Sequence, residues 1–312
     1  MYRIGIVGSD NSHAITFSRM INDPKNPFHV EGFKVTHIFG LNNDRNREVA
    51  EKGGIENIVS DPLEMVGKVD CVFIEFRDGA LHLKYARPFI ERGIPLFIDK
   101  PLAASIEDAE KIVSLAKKYN TLLTSFSILR FSDEVLEVKK NLENIIYLTI
   151  TGPGDPDSIY SGLIFYGIHV AEIIDTIIGY RSGKIYALRK GKNISALFDI
   201  NKPPIINIRI SNNIPHRFSI EMLTKNERKS LDIENYNEYY RRGLKKIKEM
   251  LDKNIWPIKP ENMINPIKII DAIIGYRSGK IYALRKGKNI SALFDINKPP
   301  IINIRISNNI PH

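Results

Sequence analysis

Cysteine is nearly missing from this chain of 312 residues. Cys71 is the only one, so no disulfide can form within the chain, and its place in the apolar run 69–74 makes it a core thiol rather than a nucleophile. Long hydrophobic runs are missing too. No stretch of about 18 apolar residues occurs, which excludes a helical membrane span. Residues 1–7 pass directly into a strand pattern with no basic and apolar leader, and the expectation is a cytoplasmic protein. The seven histidines lack metal-ligand spacing, so no metal is expected. A phosphate loop is also absent. Lys190-Gly191-Lys192-Asn193 imitates one only in part, because Tyr186 and Asn193 stand where glycine and a hydroxyl residue are required.

Acidic residues are the scarcer charge, and the net charge of +9 invites a nucleic-acid reading. Its source removes that reading. Residues 177–216 and 273–312 are identical over 40 consecutive positions, and each copy carries seven Lys or Arg against one Asp. One copy fewer leaves +3, so nucleic acid is discounted as a partner. Two copies do not make a solenoid. Perfect identity points either to a very recent duplication or to an error in joining the sequence. The whole chain is 43% apolar and 26% charged, the composition of a globular protein with ample core, and the length suits two domains.

Apolar runs alternate with helical patterns through the first 126 residues, which implies a right-handed, mostly parallel sheet. Residues 3–8 read as a buried strand, followed by Ser9-Asp10-Asn11-Ser12-His13 and a helix from 14 to 21. Strand, tight turn and helix form the opening unit of a dinucleotide fold, whose fingerprint is G-x-G-x-x-G. Aligned on Gly8, the second glycine is Asp10 and the third is His13. Gly8, Ser9, Asn11, Ser12 and His13 are the candidate phosphate contacts, with Asp10 turned away to cap the helix or the cofactor seated unusually. After the second strand, 33–39, Asn42 or Asp44 is placed to bind ribose hydroxyls and Arg45 or Arg47 to accept a 2′-phosphate; a solvated turn is the alternative, so NAD against NADP stays open. The strand 70–76 ends on Phe76, and His82 begins the next helix; both border the expected cofactor, with helix capping or packing the alternative for His82. The run Leu96-Phe97-Ile98 then delivers Asp99-Lys100-Pro101 to a strand end, where open α/β sheets bind their ligands. Pro101 biases Lys100 away from helical geometry.

From residue 145 the rhythm changes. Strand patterns at 145–151, 184–188, 196–200, 205–210 and 217–223 succeed one another with a single helical stretch, 169–178, among them. They predict an α+β unit with an open mixed or antiparallel sheet. Helices are expected at 236–251 and from 266. The domains are therefore 1–126, Rossmann-like and dinucleotide-binding; 127–272, an α+β unit; and 273–312, a copy with no assigned slot.

Several features now coincide: Asp99-Lys100-Pro101 at a strand end, Leu129-Arg130-Phe131, Tyr166-Gly167-Ile168-His169, Tyr239-Tyr240-Arg241-Arg242-Gly243, and a closing segment from Asn265 to Ala272. In this order, over about residues 1–272, the chain resembles the glucose-fructose oxidoreductase and inositol 2-dehydrogenase family, Gfo/Idh/MocA. The resemblance implies an NAD(P)-dependent oxidoreductase acting on a sugar, polyol or similar hydroxyl compound, assembled as a homo-oligomer through its second sheet. It matches Lys100 to the family's catalytic lysine and His169 to its catalytic histidine, with Arg130 and Tyr166 toward the substrate. Removing hydride from an alcohol carbon needs a base near the hydroxyl and a cation near the oxygen. Many relatives carry an aspartate four positions before the histidine; Phe165 stands there. That departure, with the altered glycine loop, supports the alternative of a non-catalytic binding or regulatory protein of the same fold.

Overall fold

The apolar strands of the first half assemble into one parallel sheet. A computed structural model describes residues 1–179, 183–200, 202–275, 282–286 and 289–293. Strands β1 (Tyr2–Val7), β2 (Phe33–Phe39), β3 (Asn57–Ile58), β4 (Cys71–Ile74), β5 (Leu96–Asp99) and β6 (Leu123–Phe126) lie in the order β3-β2-β1-β4-β5-β6, every neighbouring pair parallel. Each residue of β4, β5 and β6 is buried, as strands covered on both faces must be. The covering helices are α1 (Ser12–Asn22), α2 (Asn43–Gly53), α3 (His82–Ile90) and α4 (Ile106–Lys118). Their starts are fixed locally: Asn11, Asn42 and Ser105 each accept a backbone N–H of the first turn. The strand order reverses between β1 and β4. A crevice opens at such a point, outside the carboxyl ends of the strands.

The second sheet has the order β12-β11-β7-β10-β9-β8, built from β7 (Ile145–Pro153), β8 (Lys184–Lys190), β9 (Asn193–Asp199), β10 (Ile205–Ser211), β11 (Phe218–Thr224) and β12 (Arg228–Ile233). The β7–β10 pair is parallel and the others antiparallel. Its strands alternate in the period-2 manner of a sheet covered on one face: Leu148, Ile150, Ile206, Ile208, Ile210, Ile220 and Met222 are buried, whereas Thr149, Asn207 and Arg209 face outward. The remaining helices are α5 (Asp133–Lys140), α6 (Ile164–Ile178), α7 (Tyr236–Lys253) and α8 (Pro260–Gly275). α7 returns to the first sheet, where Leu244, Ile247 and Met250 share one core with Phe17, Phe73, Phe97 and Phe126.

Three expectations are corrected. α6 begins at Ile164, so Tyr166, Gly167 and His169 lie inside it rather than ahead of it or at its start. Gly167 lacks a side chain and lets Ile270 of α8 approach to 3.3 Å of where a Cβ would stand. α8 begins at Pro260, with Pro266 accommodated within it. α5 and the edge strand β12 were not anticipated. The first copy of the repeat supplies the end of α6 and then β8, β9 and β10. The second supplies the end of α8 and a separate antiparallel ladder, β13 (Tyr282–Lys286) with β14 (Asn289–Leu293). Its stretch 301–306, expected to be β-prone, lies outside the described residues.

Candidate active site

Asp99, the last residue of β5, is the hub of the crevice. Its Oδ2 accepts from the Asn11 amide at 2.9 Å, stands 2.9 Å from His13 Nδ1, and has Lys100 Nζ at 3.5 Å. All four residues are buried. Burial alone would raise the Asp99 carboxyl; His13 and Lys100 outweigh it and hold the group well below the usual carboxylate range. Glu75, just past β4, shows the opposite outcome. It is fully buried, neither carboxylate oxygen has a partner, and burial together with Asp99 and Asp10 pushes it well above its ordinary pKa. The uncharged acid is therefore its stable form at neutral pH.

Lys100 reaches the other half of the molecule. Its Nζ sits 5.5 Å above the ring of Phe165, one turn before His169 on α6. His169 is buried, with Nδ1 2.6 Å from Ser127 Oγ just past β6. Burial first, then the nearby charges of Lys100 and His13, lower its pKa well below that of free histidine. The ring is neutral. In the tautomer that donates Nδ1–H to Ser127, Nε2 keeps a lone pair and can act as a base. Tyr166 packs against His169, with ring centroids 5.4 Å apart, and is half-buried. Tyr240 of α7 lies edge-on to His13 at 5.1 Å. Across the crevice mouth, the Arg77 guanidinium donates to the Tyr160 hydroxyl (3.4 Å), and Ser161 Oγ donates to Asp78. The apolar cavity of about 310 Å³ bordered by Leu163, Ala187, Ile194 and Ile273 is separate from this cluster.

The structure thus brings together Asn11, His13, Asp99, Lys100, Tyr166 and His169 from the sequence candidates. Others it employs elsewhere. His82 is fully buried, and both ring nitrogens are taken by carbonyl oxygens, of Pro101 at 2.7 Å and Phe76 at 2.9 Å, so no edge is left for a cofactor. Phe76 is buried against Tyr85. Asn42 caps α2, and Asp44 pairs with Arg47 on the exposed first turn of that helix. Arg45 Nε donates to the Ser9 carbonyl at 2.9 Å, bracing the first loop. Arg130 is consumed by Glu172 and Asp175, which satisfies a guanidinium without any substrate. Residues the sequence reading passed over are Glu75, Ser127 and Tyr240 as a neighbour of His13. The only signal for Glu75 was a charged residue ending an apolar run.

The loop fits a dinucleotide in shape. Gly8 has φ +116°, and a Cβ there would meet Phe76 N at 2.5 Å, so only glycine lets the turn lie this close to β4. Ser12 opens α1, whose first N–H groups form the usual anion site at a helix start. Its charge is less favourable, with Asp10, Glu75 and Asp99 all nearby. The clash is limited, because Asp10 Oδ2 accepts from Arg77 N–H (3.3 Å), Asp99 is paired and Glu75 is neutral.

Residues 2–126 match the model of an oxidoreductase family, GFO_IDH_MocA, described as an NAD-binding Rossmann fold. A scyllo-inositol 2-dehydrogenase (NADP(+)) of Bacillus subtilis is 29% identical over 118 residues, 37% of this chain and 36% of the relative. A myo-inositol 2-dehydrogenase of Thermotoga maritima is 26% identical over 164 residues, 48% of this chain and 49% of the relative. The chain therefore matches half or less of the length of these curated relatives. In fold, it resembles a solved scyllo-inositol dehydrogenase of Lactobacillus casei with bound NAD(H) and scyllo-inositol: the TM-score is 0.74 at 16% identity, covering 88% of this chain and 96% of that one. Among the described residues no helix is long and apolar enough to cross a membrane.

Proposed function

We propose that this chain, whose residues 2–126 match the model of the GFO_IDH_MocA family of NAD-binding oxidoreductases, transfers a hydride between NAD or NADP and a hydroxyl carbon of a polyol or sugar. The observation that carries the reading is the meeting of Lys100 and His169: the Lys100 ammonium lies 5.5 Å over Phe165, one turn before His169 on α6, and its charge acts on the His169 ring. Residues 1–126 serve the dinucleotide and 127–272 the substrate. Oligomerisation through the polar outer face of the second sheet and a cytoplasmic setting complete the reading, with no nucleic-acid partner, since the duplicated segment accounts for most of the positive charge.

When bound, the nicotinamide accepts or donates the hydride. The protein's share is positional and electrostatic. Asp99 and Phe165 hold the Lys100 ammonium, which stabilises negative charge on the substrate oxygen. His169 Nε2 takes the hydroxyl proton while Ser127 fixes the ring through Nδ1. A hydroxyl partner orients the imidazole but lends it no negative charge. Nothing at Nδ1 therefore offsets the burial and the nearby cations that lower the basicity of His169, and the base is neutral at pH 7.

A second reading, a dinucleotide- or sugar-binding protein without catalysis, is favoured by the three acids beside the first loop. The test is nicotinamide reduction with inositols and aldoses, alongside fluorescence titration of NADH and NADPH. Lys100→Met and His169→Ala should each lower the chemical rate by about 10²–10⁴-fold while dinucleotide affinity is kept. Dinucleotide binding without turnover on any polyol would leave the binding-protein reading, and no binding of either dinucleotide would sink the oxidoreductase and leave only a sugar-binding protein of this fold.

A further inference from the structure

Hydride transfer leaves Glu75 without a task. Its side chain is fully buried and neither oxygen is hydrogen-bonded, a state that is costly unless something absent from the protein itself completes it. One of its oxygens, a ring nitrogen of His13 and an oxygen of Asp99 all lie within 4.8 Å of one another. The three residues follow β1, lie just past β4 and end β5, so a rigid sheet presents them from three separate places. Their spacing along the chain, 13, 75 and 99, gives no metal motif, which is why the sequence shows none.

We propose that His13, Glu75 and Asp99 form a binding site for one divalent first-row transition cation, Mn²⁺ or Zn²⁺ ahead of Mg²⁺. One imidazole with two carboxylates is a donor set for those ions. The geometry is close: His13 Nδ1 and Asp99 Oδ2 are 2.9 Å apart, and two ligands at right angles on an ion with bonds of about 2.1 Å stand about 3 Å apart. All three ligand atoms lie within 4.8 Å of one another, close to the span of roughly 4.2 Å between ligands opposite one another on such an ion. Two carboxylates and the ion sum to zero charge. Asn11, donating to Asp99 Oδ2 at 2.9 Å, holds that carboxylate in direction. Lys100, 3.5 Å from the same oxygen, opposes the ion and turns toward Phe165 and the crevice when it binds.

The inference does not rest on the dehydrogenase reading, and its test uses the untagged full chain, stripped with chelator and free of dinucleotide. Titration with Mn²⁺, followed by the paramagnetic resonance of the free ion, should give one bound ion per chain. Spin-echo modulation should show a directly coordinated imidazole nitrogen, which surface carboxylates cannot supply. Glu75→Gln, nearly the same in shape, should weaken the affinity by about 10–100-fold or more, and Glu143→Gln on the surface should leave it unchanged. No saturable binding of Mn²⁺ or Zn²⁺ at about 1 mM would overturn the proposal. So would binding that lacks the nitrogen signal, even if Glu75→Gln does not fold. NADH titration of the same metal-free sample reports on the dinucleotide site separately, so either failure can be told from the other.

Discussion

Replacing Arg130 by methionine separates two possible employments of one residue. The guanidinium is 8% exposed and donates through Nε to Glu172 Oε2 at 2.8 Å, and through Nη2 to Asp175 Oδ2 at 2.8 Å and the Asn262 carbonyl at 3.1 Å. Methionine keeps much of the volume and deletes the charge, leaving two buried carboxylates on α6 facing each other. Removing one partner of a buried ion pair costs about 3–5 kcal/mol. Two features place the cost at the lower end. The Asn262 and Asn265 side-chain amides still donate to Asp175. Glu172, already pushed up to about 7 by burial with Arg130 opposing, simply takes a proton once that cation is gone. The expected loss is about 3 kcal/mol at neutral pH, or a fall of about 1 M or more in the urea midpoint with a typical slope. The loss should grow as the pH rises above 7, because Glu172 then tends to ionise without a counter-charge. Urea unfolding followed by far-UV dichroism at two pH values measures it. An unchanged midpoint with lost turnover would refute the reasoning and return Arg130 to the substrate, as the sequence suggested.

Two further outcomes follow from the same packing. His169 is lowered in the folded state, so the unfolded chain binds its proton more readily; the stability this group confers is full above about pH 6.5 and is lost as the pH falls toward the folded value. His169→Gln should therefore flatten the loss of stability on going from about pH 7 to pH 5, and an unaltered slope in denaturant titrations would contradict a buried neutral ring. A chain ending at Gly275 should keep its unfolding midpoint to within about 0.5 kcal/mol, since the β13–β14 ladder joins neither six-stranded sheet. Ending it before Ile273, which is buried in the core, should instead cost about 1.5–3 kcal/mol; equal midpoints for the two truncations would show that Ile273 is not packed as described.

The parallel sheet was legible because its strands are short apolar runs punctuated by caps that act locally. Asn11, Asn42, Asp61 and Ser105 mark starts by a bond only two or three residues long. Position along the chain also revealed Lys100, because a strand end followed by proline is a one-dimensional signal. α6 was placed five residues late, at His169 rather than Ile164. The approach of Ile270 of α8 to Gly167 is a contact that only the tertiary structure contains. β12 escaped notice because an edge strand with the sequence Arg228-Lys229-Ser230-Leu231-Asp232-Ile233 is mostly polar and half-exposed. Glu75 was invisible for a different reason. A charged residue after an apolar run normally meets water, and its burial beside Asp99 depends on residues 24 positions further on. Ser127 is likewise ordinary in sequence and acquires meaning only when α6 brings His169 to it.

The return of α7 onto the first sheet has a consequence for how the protein is made. The Tyr2 hydroxyl donates to Asp252, and Leu244, Ile247 and Met250 fill the same core as Ile4, Ile6 and Phe17. The family match stops at residue 126, but this core does not. A nascent chain that has just released β6 from the ribosome therefore holds an apolar face that α1 and α2 cover only in part. At about 5–20 residues per second, the wait for α7 lasts roughly 6–25 s. During that interval the sheet is open to chaperones and to other unfinished copies of itself. The strand translated first is among the last to be fully buried.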